Sequence, residues 1–178
     1  MITSLERGYI WVSIDELHFQ KGSYRLHGHA PGSKKAIGIC MSACTDYFVI
    51  TVIDSMGNSP LSLLMKRTLF NDHFRILLSP YKEEKCIFFM DNASVHNKDD
   101  IQYLCSEAKQ SCLFNAPYTP DLNPVEMLFA EWKKKVFREA PTLPSQDQFL
   151  RILKESFLSI EESTVRSLSV FNTKYFLR

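Results

Sequence analysis

The sequence predicts an α/β domain, with one mixed sheet and helices on both of its faces. Short apolar runs rich in β-branched and aromatic residues alternate along the chain with longer amphipathic stretches, as strands alternate with helices. Three strand-like runs come first with no helix between them, which predicts an antiparallel meander, and two more follow among the helices. The chain of 178 residues is long enough for one domain over residues 1–178, and no repeat or linker divides it.

The first third of the chain predicts the meander and a long loop. Residues 9–14 read YIWVSI, an apolar and aromatic run that ends on an acid. Residues 16–35 hold three of the six glycines, three histidines and a proline, so we expect a long loop or a projecting hairpin there. Residues 36–43 and 47–53 predict the second and third strands, and residues 54–60 predict a turn.

The rest of the chain predicts alternating helices and strands. The predicted elements are a helix over 61–78 that Pro80 stops, a strand over 86–90, a helix over 98–109, a strand over 112–114, a helix over 124–136, a helix that a capping box of Ser145 and Gln148 begins, and a last helix over 161–178.

The stretch from 114 to 136 has the clearest local signals. It packs three prolines into a short polar loop, and Asn123 is the predicted N-cap of a helix whose first residue is Pro124. The apolar residues of that helix recur at spacings of three and four: Val125, Leu128, Phe129, Trp132 and Val136. Such a stripe predicts that Trp132 lies in the core.

The composition is that of an ordinary globular protein, since hydrophobic residues make up 45% and charged residues 23%. The formal net charge is +1, whereas a dedicated duplex-binding module is usually far more basic. Any contact with nucleic acid must therefore rest on local patches, on metal ions or on another segment. We expect no membrane partner, because no apolar run approaches the ~20 residues of a membrane span.

The five cysteines favour an intracellular protein with reduced thiols, because an odd number is scattered among apolar runs. Cys40 and Cys44 have the spacing Cys-x-x-x-Cys, but no second pair of cysteine or histidine ligands follows, so structural zinc is not expected.

Three acids stand where a sheet of this kind carries its chemistry. Asp15 and Asp91 each follow an apolar strand, and open α/β sheets bind ligands outside the carboxyl ends of their strands. Glu126, in the first turn of a helix, can reach the same rim. Convergent carboxylates repel one another, and Mg²⁺ or Mn²⁺, which prefer oxygen ligands, relieve the repulsion. Two such ions ~4 Å apart stabilise the attacking and leaving oxygens at phosphorus, which predicts phosphodiester hydrolysis or transesterification.

Two blocks of sequence carry a family resemblance that covers about residues 8–175. FFMDNASVHNK, which contains Asp91, and APYTPDLNPVEMLFAEWKKKV, which contains Glu126, closely resemble the catalytic domain of mariner-superfamily DNA transposases with an Asp-Asp-Glu triad. The spacing agrees with that branch, because 34 residues, 92 to 125, separate these two acids. Asp15 lies in YIWVSIDE, which looks like the first strand of the family.

The resemblance implies a ribonuclease H-like fold whose two central strands carry Asp15 and Asp91 side by side. It also implies two metal ions, Mg²⁺ or Mn²⁺, with Asp15 bridging both, Asp91 holding one and Glu126 the other. Family members cut DNA at terminal inverted repeats with water as the nucleophile, and the freed 3′-hydroxyl then attacks target DNA, commonly at a TA step. A homodimer in the DNA complex, helped in some members by a loop at the position of 16–35, and a nuclear location in a eukaryote are further expectations.

Full-length members of that family also carry an N-terminal pair of helix-turn-helix units that recognise the repeat ends. These 178 residues contain no such pair, so we expect a catalytic domain alone, with repeat recognition lying elsewhere.

Several residues near the acids have two interpretations. Asn92 and His96 follow Asp91 and either shape the turn or contact the substrate. Glu126 is either a metal ligand or the N3 residue of a capping box with Asn123, and the family resemblance favours the metal.

Candidate contacts to DNA phosphates are basic residues beside the acids: Lys34 and Lys35 in the long loop, and Lys133 and Lys134 two turns after Glu126. The alternative is a solvated basic face. Three functions stay open on the sequence: an active transposase catalytic domain, a domesticated protein that binds or assembles on DNA, and a ribonuclease H-like nuclease without strand transfer.

Overall fold

The computed structural model describes residues 8–20, 46–59, 62–65, 70–92, 97–116, 119, 122–139 and 145–176. Their helices and strands occur in the order β1 (Ile10–Gln20), β2 (Asp46–Asp54), β3 (Ser62–Met65), α1 (Phe70–Leu78), β4 (Cys86–Met90), α2 (Lys98–Glu107), β5 (Ser111–Phe114), α3 (Pro124–Glu139), α4 (Gln146–Leu158) and α5 (Glu162–Phe176). A single 3₁₀ turn, Ser79–Tyr81, follows α1, so the helix ends before Pro80 as predicted.

The sheet is mixed, with the strand order β3-β2-β1-β4-β5. The strands β1, β2 and β3 pair antiparallel as a meander, whereas β4 lies parallel to β1 and β5 lies parallel to β4. The predicted fold class, a mixed five-stranded sheet that begins with a meander, is confirmed. The strand β4, which lies between β1 and β5, is apolar along its whole length, as expected of a strand that is covered on both faces.

The third strand of the meander is not the one that the sequence predicts. Ser62–Met65 forms β3 and pairs with residues 48–51 of β2, whereas the sequence predicts one helix over 61–78. The prediction is wrong for residues 62–65 and confirmed for residues 70–78. A short, mostly apolar run suits a strand as well as a helix, and hydrogen bonding to β2 decides for the strand. Of the predicted range, the described helix α1 covers Phe70–Leu78. The strand predicted over 36–43 lies outside the described residues.

The first strand is longer than predicted. Residues 16–20, predicted as the start of the long loop, belong to β1 and pair with residues 46–50 of β2. Their alternation of polar and apolar residues was an available signal, since Leu17 and Phe19 are both buried against the helices. The remainder of the predicted loop, 21–35, falls outside the part of the chain that the structure describes.

Side chains cover the sheet in two layers. On one face, α1 and α2 pack against alternate residues of β1 and β4, with Phe74 and Phe88 fully buried between them. On the other face, α3, α4 and α5 pack against the intervening residues, among them Leu17 and Phe19. The core therefore lies on both sides of β1, and the two faces carry different helices.

The helix α3 buries the stripe that its spacing predicts, including Trp132, which is only 2% exposed. The indole N–H of Trp132 donates to the Leu153 carbonyl and to Ser156 Oγ of α4, so this tryptophan is a core residue, as predicted. The capping box of Ser145 and Gln148 is present at the start of α4. None of the described helices is long and apolar enough to cross a membrane.

Three of the cysteines are core thiols. Cys86 and Cys105 are buried, Cys112 is half-buried, and all three are free. Burial raises the pKa of the Cys86 thiol to about 12, so it stays protonated at neutral pH. Cys40 and Cys44 lie outside the described residues.

Candidate active site

Asp15 and Asp91 stand at the same level of two neighbouring parallel strands. The last pair between β1 and β4 is Ser13 with Phe89, and the same register continued by two residues sets Asp15 level with Asp91, which directly follows β4. Neighbouring strands are about 4.8 Å apart. Side chains alternate between the two faces along a strand, and the residue before each aspartate faces α1 and α2. The side chains of both aspartates therefore point to the face that α3 covers.

The sequence predicts that Asp15 follows its strand. In the structure Asp15 lies within β1, opposite Thr51 of β2. The prediction is wrong because β1 continues to pair with β2 after its pairing with β4 has ended at Ser13. Asp15 is therefore at the carboxyl end of the parallel half of the sheet, which is where ligands bind in open α/β sheets.

The pKa of Asp15 connects the three acids. Burial raises this pKa from an ordinary value near 3.8 to about 8, and the negative charge of Glu126 is the second cause. The charges of Asp91 and Glu16 raise it further, while the backbone N–H of Glu16, which donates to Asp15 Oδ1 at 2.8 Å, opposes the rise. Asp15 therefore lies in the electric field of both other acids.

The start of α3 is attached directly to Asp15. Asn123 caps the helix through its Oδ1, which accepts from the backbone N–H of Val125 at 3.2 Å. Its amide Nδ2 donates to Asp15 Oδ2 at 3.1 Å and to the Ile14 carbonyl at 3.2 Å. Glu126 projects from the first turn of the same helix and is exposed.

The capping box between Asn123 and Glu126, the alternative role for this glutamate, has a different geometry from the one observed. In a capping box the N-cap side chain accepts from the N3 amide. Here the Asn123 side chain accepts from Val125, and the amide of Glu126 donates instead to the backbone carbonyl of Asn123 at 3.2 Å. The carboxylate of Glu126 is therefore not required for the cap.

A second asparagine braces the loop that leads to α3, and the sequence reasoning missed it. Asn115 is 6% exposed, and its backbone N–H donates to the Met90 carbonyl, the residue before Asp91, at 2.8 Å. Its side chain donates to the Thr119 carbonyl at 2.7 Å and accepts from the Thr119 hydroxyl at 2.9 Å. The available signal was an asparagine at each end of the proline loop in NAPYTPDLN.

The donor chemistry of the triad fits a divalent hard cation, because three carboxylates supply only oxygen ligands and repel one another without a counter-charge. The field of Glu126 and Asp91 on Asp15 agrees with this requirement. Across the described ranges, which include Asp15, Asp91 and Glu126, no group of three His, Cys, Asp or Glu side chains is placed so that it could hold a metal ion. The three acids fit Mg²⁺ or Mn²⁺ by the chemistry and charge of their carboxylates, whereas the positions of their side chains do not form a ligand set.

The other predicted site residues have mixed outcomes. Asn92 is half-buried directly after Asp91. His96, Lys34 and Lys35 lie outside the described residues, so their roles stay predictions.

The three consecutive lysines of α3 differ in their exposure and in their partners. Lys133 is half-buried, and Lys134 is exposed and pairs with Glu131 at 3.4 Å. Exposed pairs of this kind contribute little to stability, so Lys134 can exchange its partner. The ammonium of Lys135 donates to the carbonyl of Ser159 at 2.9 Å and to its hydroxyl at 3.1 Å, which ties it to the end of α4.

Comparison with known proteins identifies the family. Residues 11–150 match the family described as DDE superfamily endonuclease, and the chain belongs to this family. No curated protein matches the chain significantly. The family and the fold agree with the resemblance drawn from the sequence.

Solved structures of the Mos1 mariner transposase share the fold. The paired-end complex with Mn has a TM-score of 0.69 at 15% identity, and the match covers 94% of this chain and 53% of that one. The paired-end complex with the left transposon end gives 0.67 at 17% identity with the same coverage of both chains. The isolated Mos1 catalytic domain gives 0.66 at 14% identity, with 94% and 78% covered. This chain thus spans about half the length of the Mos1 chain in those complexes and most of its catalytic domain.

Proposed function

We propose that this chain is the catalytic domain of a mariner-type DNA transposase in which Asp15, Asp91 and Glu126 bind Mg²⁺ or Mn²⁺. The family and the fold support the proposal. The observation that carries it is the register of the central strands, which sets Asp15 beside Asp91 on the face where α3 presents Glu126.

Mos1 structures indicate which partners the proposal assigns to this chain. Mos1 has been solved as paired-end complexes with Mn and with Mg, as a complex with the left transposon end, and as a strand transfer complex. We assign to this chain divalent metal, transposon-end DNA and target DNA. A homodimer in the DNA complex, a TA target and a nuclear location in a eukaryote belong to the proposal through the family resemblance alone.

Each acid has a task in the proposed reaction. Two divalent ions would stabilise the attacking and the leaving oxygens at phosphorus. Asp15 would contact both ions, Asp91 one of them and Glu126 the other. In hydrolysis, a water oxygen bonds to phosphorus and the P–O3′ bond breaks, leaving a 3′-hydroxyl and a 5′-phosphate. In strand transfer, that 3′ oxygen bonds to a target phosphorus, the target P–O3′ bond breaks, and the target strand leaves with a 3′-hydroxyl.

The test uses the chain with Mn²⁺, a supercoiled plasmid and a labelled duplex that has a free 3′-hydroxyl. The wild-type chain should nick the plasmid and join the label to it. Glu126→Gln keeps the size of the side chain and removes its charge, and it should lower both rates by about a thousandfold or more. The matched control is Glu131→Gln on the same helix, which removes only an exposed pair with Lys134 and should leave both rates unchanged.

Each outcome of this test has a definite meaning. Joining that survives in Glu126→Gln would overturn the role of that residue. Metal-dependent cleavage without joining would favour the nuclease alternative. Absence of metal-dependent cleavage by the wild-type chain would overturn the proposed function.

A further inference from the structure

We propose that Asn123 is a positioning residue that holds the carboxylate of Asp15 in its metal-binding orientation. The inference rests on the proposed function, because it concerns the ligand set of the same site. Asn123 is 1% exposed, so its amide groups have no access to bulk water and depend on partners within the protein.

The hydrogen bonds allow only one orientation of the Asn123 amide. Oδ1 faces a donor, the N–H of Val125, while Nδ2 faces two acceptors, the Ile14 carbonyl and Asp15 Oδ2. In the flipped orientation, Nδ2 would face the N–H of Val125 and Oδ1 would face the two acceptor oxygens. All three contacts would then be repulsive. The –NH₂ group therefore points its two hydrogens at β1, and one of them fixes Asp15.

The carboxylate of Asp15 is held from both sides. Its Oδ1 accepts from the backbone N–H of Glu16 at 2.8 Å, and its Oδ2 accepts from Asn123 at 3.1 Å. Each carboxylate oxygen has two acceptor positions, so both oxygens keep one position for a cation. Residues that hydrogen-bond to ligating carboxylates fix the orientation of the ligand, and their loss typically weakens metal binding about 10- to 100-fold.

Helix capping alone does not account for an asparagine here. A cap needs only an acceptor, and serine, threonine or aspartate at position 123 would supply one. Among these residues, only asparagine carries its acceptor and its donor on two separate atoms, so it can cap the helix and also donate to Asp15, 108 positions away in the chain, without adding another negative charge. The backbone carbonyl of Asn123 also accepts from the N–H of Glu126 at 3.2 Å, so one residue sets the first and the third acid relative to each other.

The experiment separates the cap from the positioning bond by measuring Mn²⁺ affinity, from the electron paramagnetic resonance signal of free Mn²⁺, together with the melting temperature. Asn123→Ser keeps a capping oxygen and removes the amide donor, so Mn²⁺ affinity should fall about 10- to 100-fold. The matched control is Asn58→Ser, which removes an amide that donates to Asp54 Oδ2 at 3.0 Å, on the opposite face of the sheet. The control should bind Mn²⁺ with wild-type affinity.

The outcomes distinguish this inference from the proposed function. Wild-type Mn²⁺ affinity in Asn123→Ser would overturn the positioning role and leave the proposed function standing. Equal loss of affinity in Asn58→Ser would also overturn it, because the effect would then follow general loosening of the fold. Absence of Mn²⁺ binding by the wild-type chain would overturn both. If Asn123→Ser does not melt cooperatively, Asn123→Thr, a second residue that caps without an amide, replaces it with the same expected loss.

Discussion

Two aspartates lie on neighbouring strands of the sheet, Asp15 on β1 and Asp54 on β2, and they differ in their hydrogen-bond donors and in the charges around them. Asp54 ends β2 opposite Val12 and is 3% exposed. Its carboxylate accepts from the backbone amides of Met56 and Asn58, from the Asn58 side chain and from the Tyr81 hydroxyl. Four donors therefore surround this acid, and its charge is compensated where it lies.

Among the described residues, Asp15 has two donors and three acidic neighbours, Glu126, Asp91 and Glu16. It accepts from the backbone N–H of Glu16 and from the Asn123 amide. Burial and the charges of Glu126 and Asp91 raise its pKa to about 8.

The comparison shows how environment assigns a role to the same side chain. Asp54 holds a turn together and has no need of a cation, because two protein donors occupy each of its oxygens. Each carboxylate oxygen of Asp15 has only one described donor and keeps an acceptor position for a cation. The negative charges of the neighbouring acids disfavour the ionised form of Asp15, and a divalent cation relieves that repulsion. The predictions below test this contrast.

The largest expected effect is on catalysis. Asp15→Asn should lower metal-dependent cleavage by about a thousandfold or more, because it removes the proposed bridging ligand. Asp54→Asn, the same substitution in the turn, should keep the rate of the folded protein. Rates of plasmid nicking, normalised to the folded fraction from circular dichroism, provide the measurement. Equal loss in both variants would contradict the contrast.

Metal should stabilise the wild-type chain and not Asp15→Asn. At a Mn²⁺ concentration one hundred times its dissociation constant, binding to the folded state raises the free energy of unfolding by about 2.7 kcal/mol. Urea unfolding with and without Mn²⁺ measures the difference, and a chelator should reverse it. Asp54→Asn should show the wild-type increase, and a similar increase in Asp15→Asn would exclude Asp15 from the metal site.

The same pair of variants should differ in their effect on stability without metal. Asp54→Asn replaces one acceptor oxygen by an amide nitrogen among donors, and it should lower the free energy of unfolding by about 1–3 kcal/mol. Asp15→Asn also places an amide nitrogen opposite a donor, but it removes a group whose charge is disfavoured, so it should lower the free energy of unfolding by less than Asp54→Asn does at pH 7 in the presence of a chelator. Destabilisation of both variants to the same degree would count against the electrostatic account of Asp15.

The smallest expected effect concerns the turn that Asp54 organises. Gly57 has φ +86°, and a Cβ there would lie 2.7 Å from Cγ of Arg166 on α5. Gly57→Ala should therefore lower the free energy of unfolding by about 1–2 kcal/mol without changing Mn²⁺ affinity. Gly8→Ala is the matched control, because Gly8 has φ +73° but no atom within 4 Å of an added Cβ. If Gly8→Ala costs as much, backbone conformation rather than contact with Arg166 explains the loss.

Local signals predicted the elements that local interactions stabilise. The N-cap at Asn123 and the capping box at Ser145 and Gln148 involve residues within three positions of each other, so the sequence contains the whole interaction. The prediction of a helix was wrong over residues 62–65 because the interaction that decides their structure is not local. The pairing of β3 with β2 is an interaction between distant backbones, and a short apolar run does not specify its partner.

The sequence by itself determined the three acids, the 34 residues between the last two, the start of α3 and the family to which these features belong. Only the tertiary structure decided that Asp15 lies inside β1, level with Asp91, and that the Asn123 side chain donates a hydrogen bond to it. The physical reason is separation along the chain. A cap or a helical stripe is encoded within a few residues, whereas strand register and a hydrogen bond across 108 positions exist only once the whole sheet has formed.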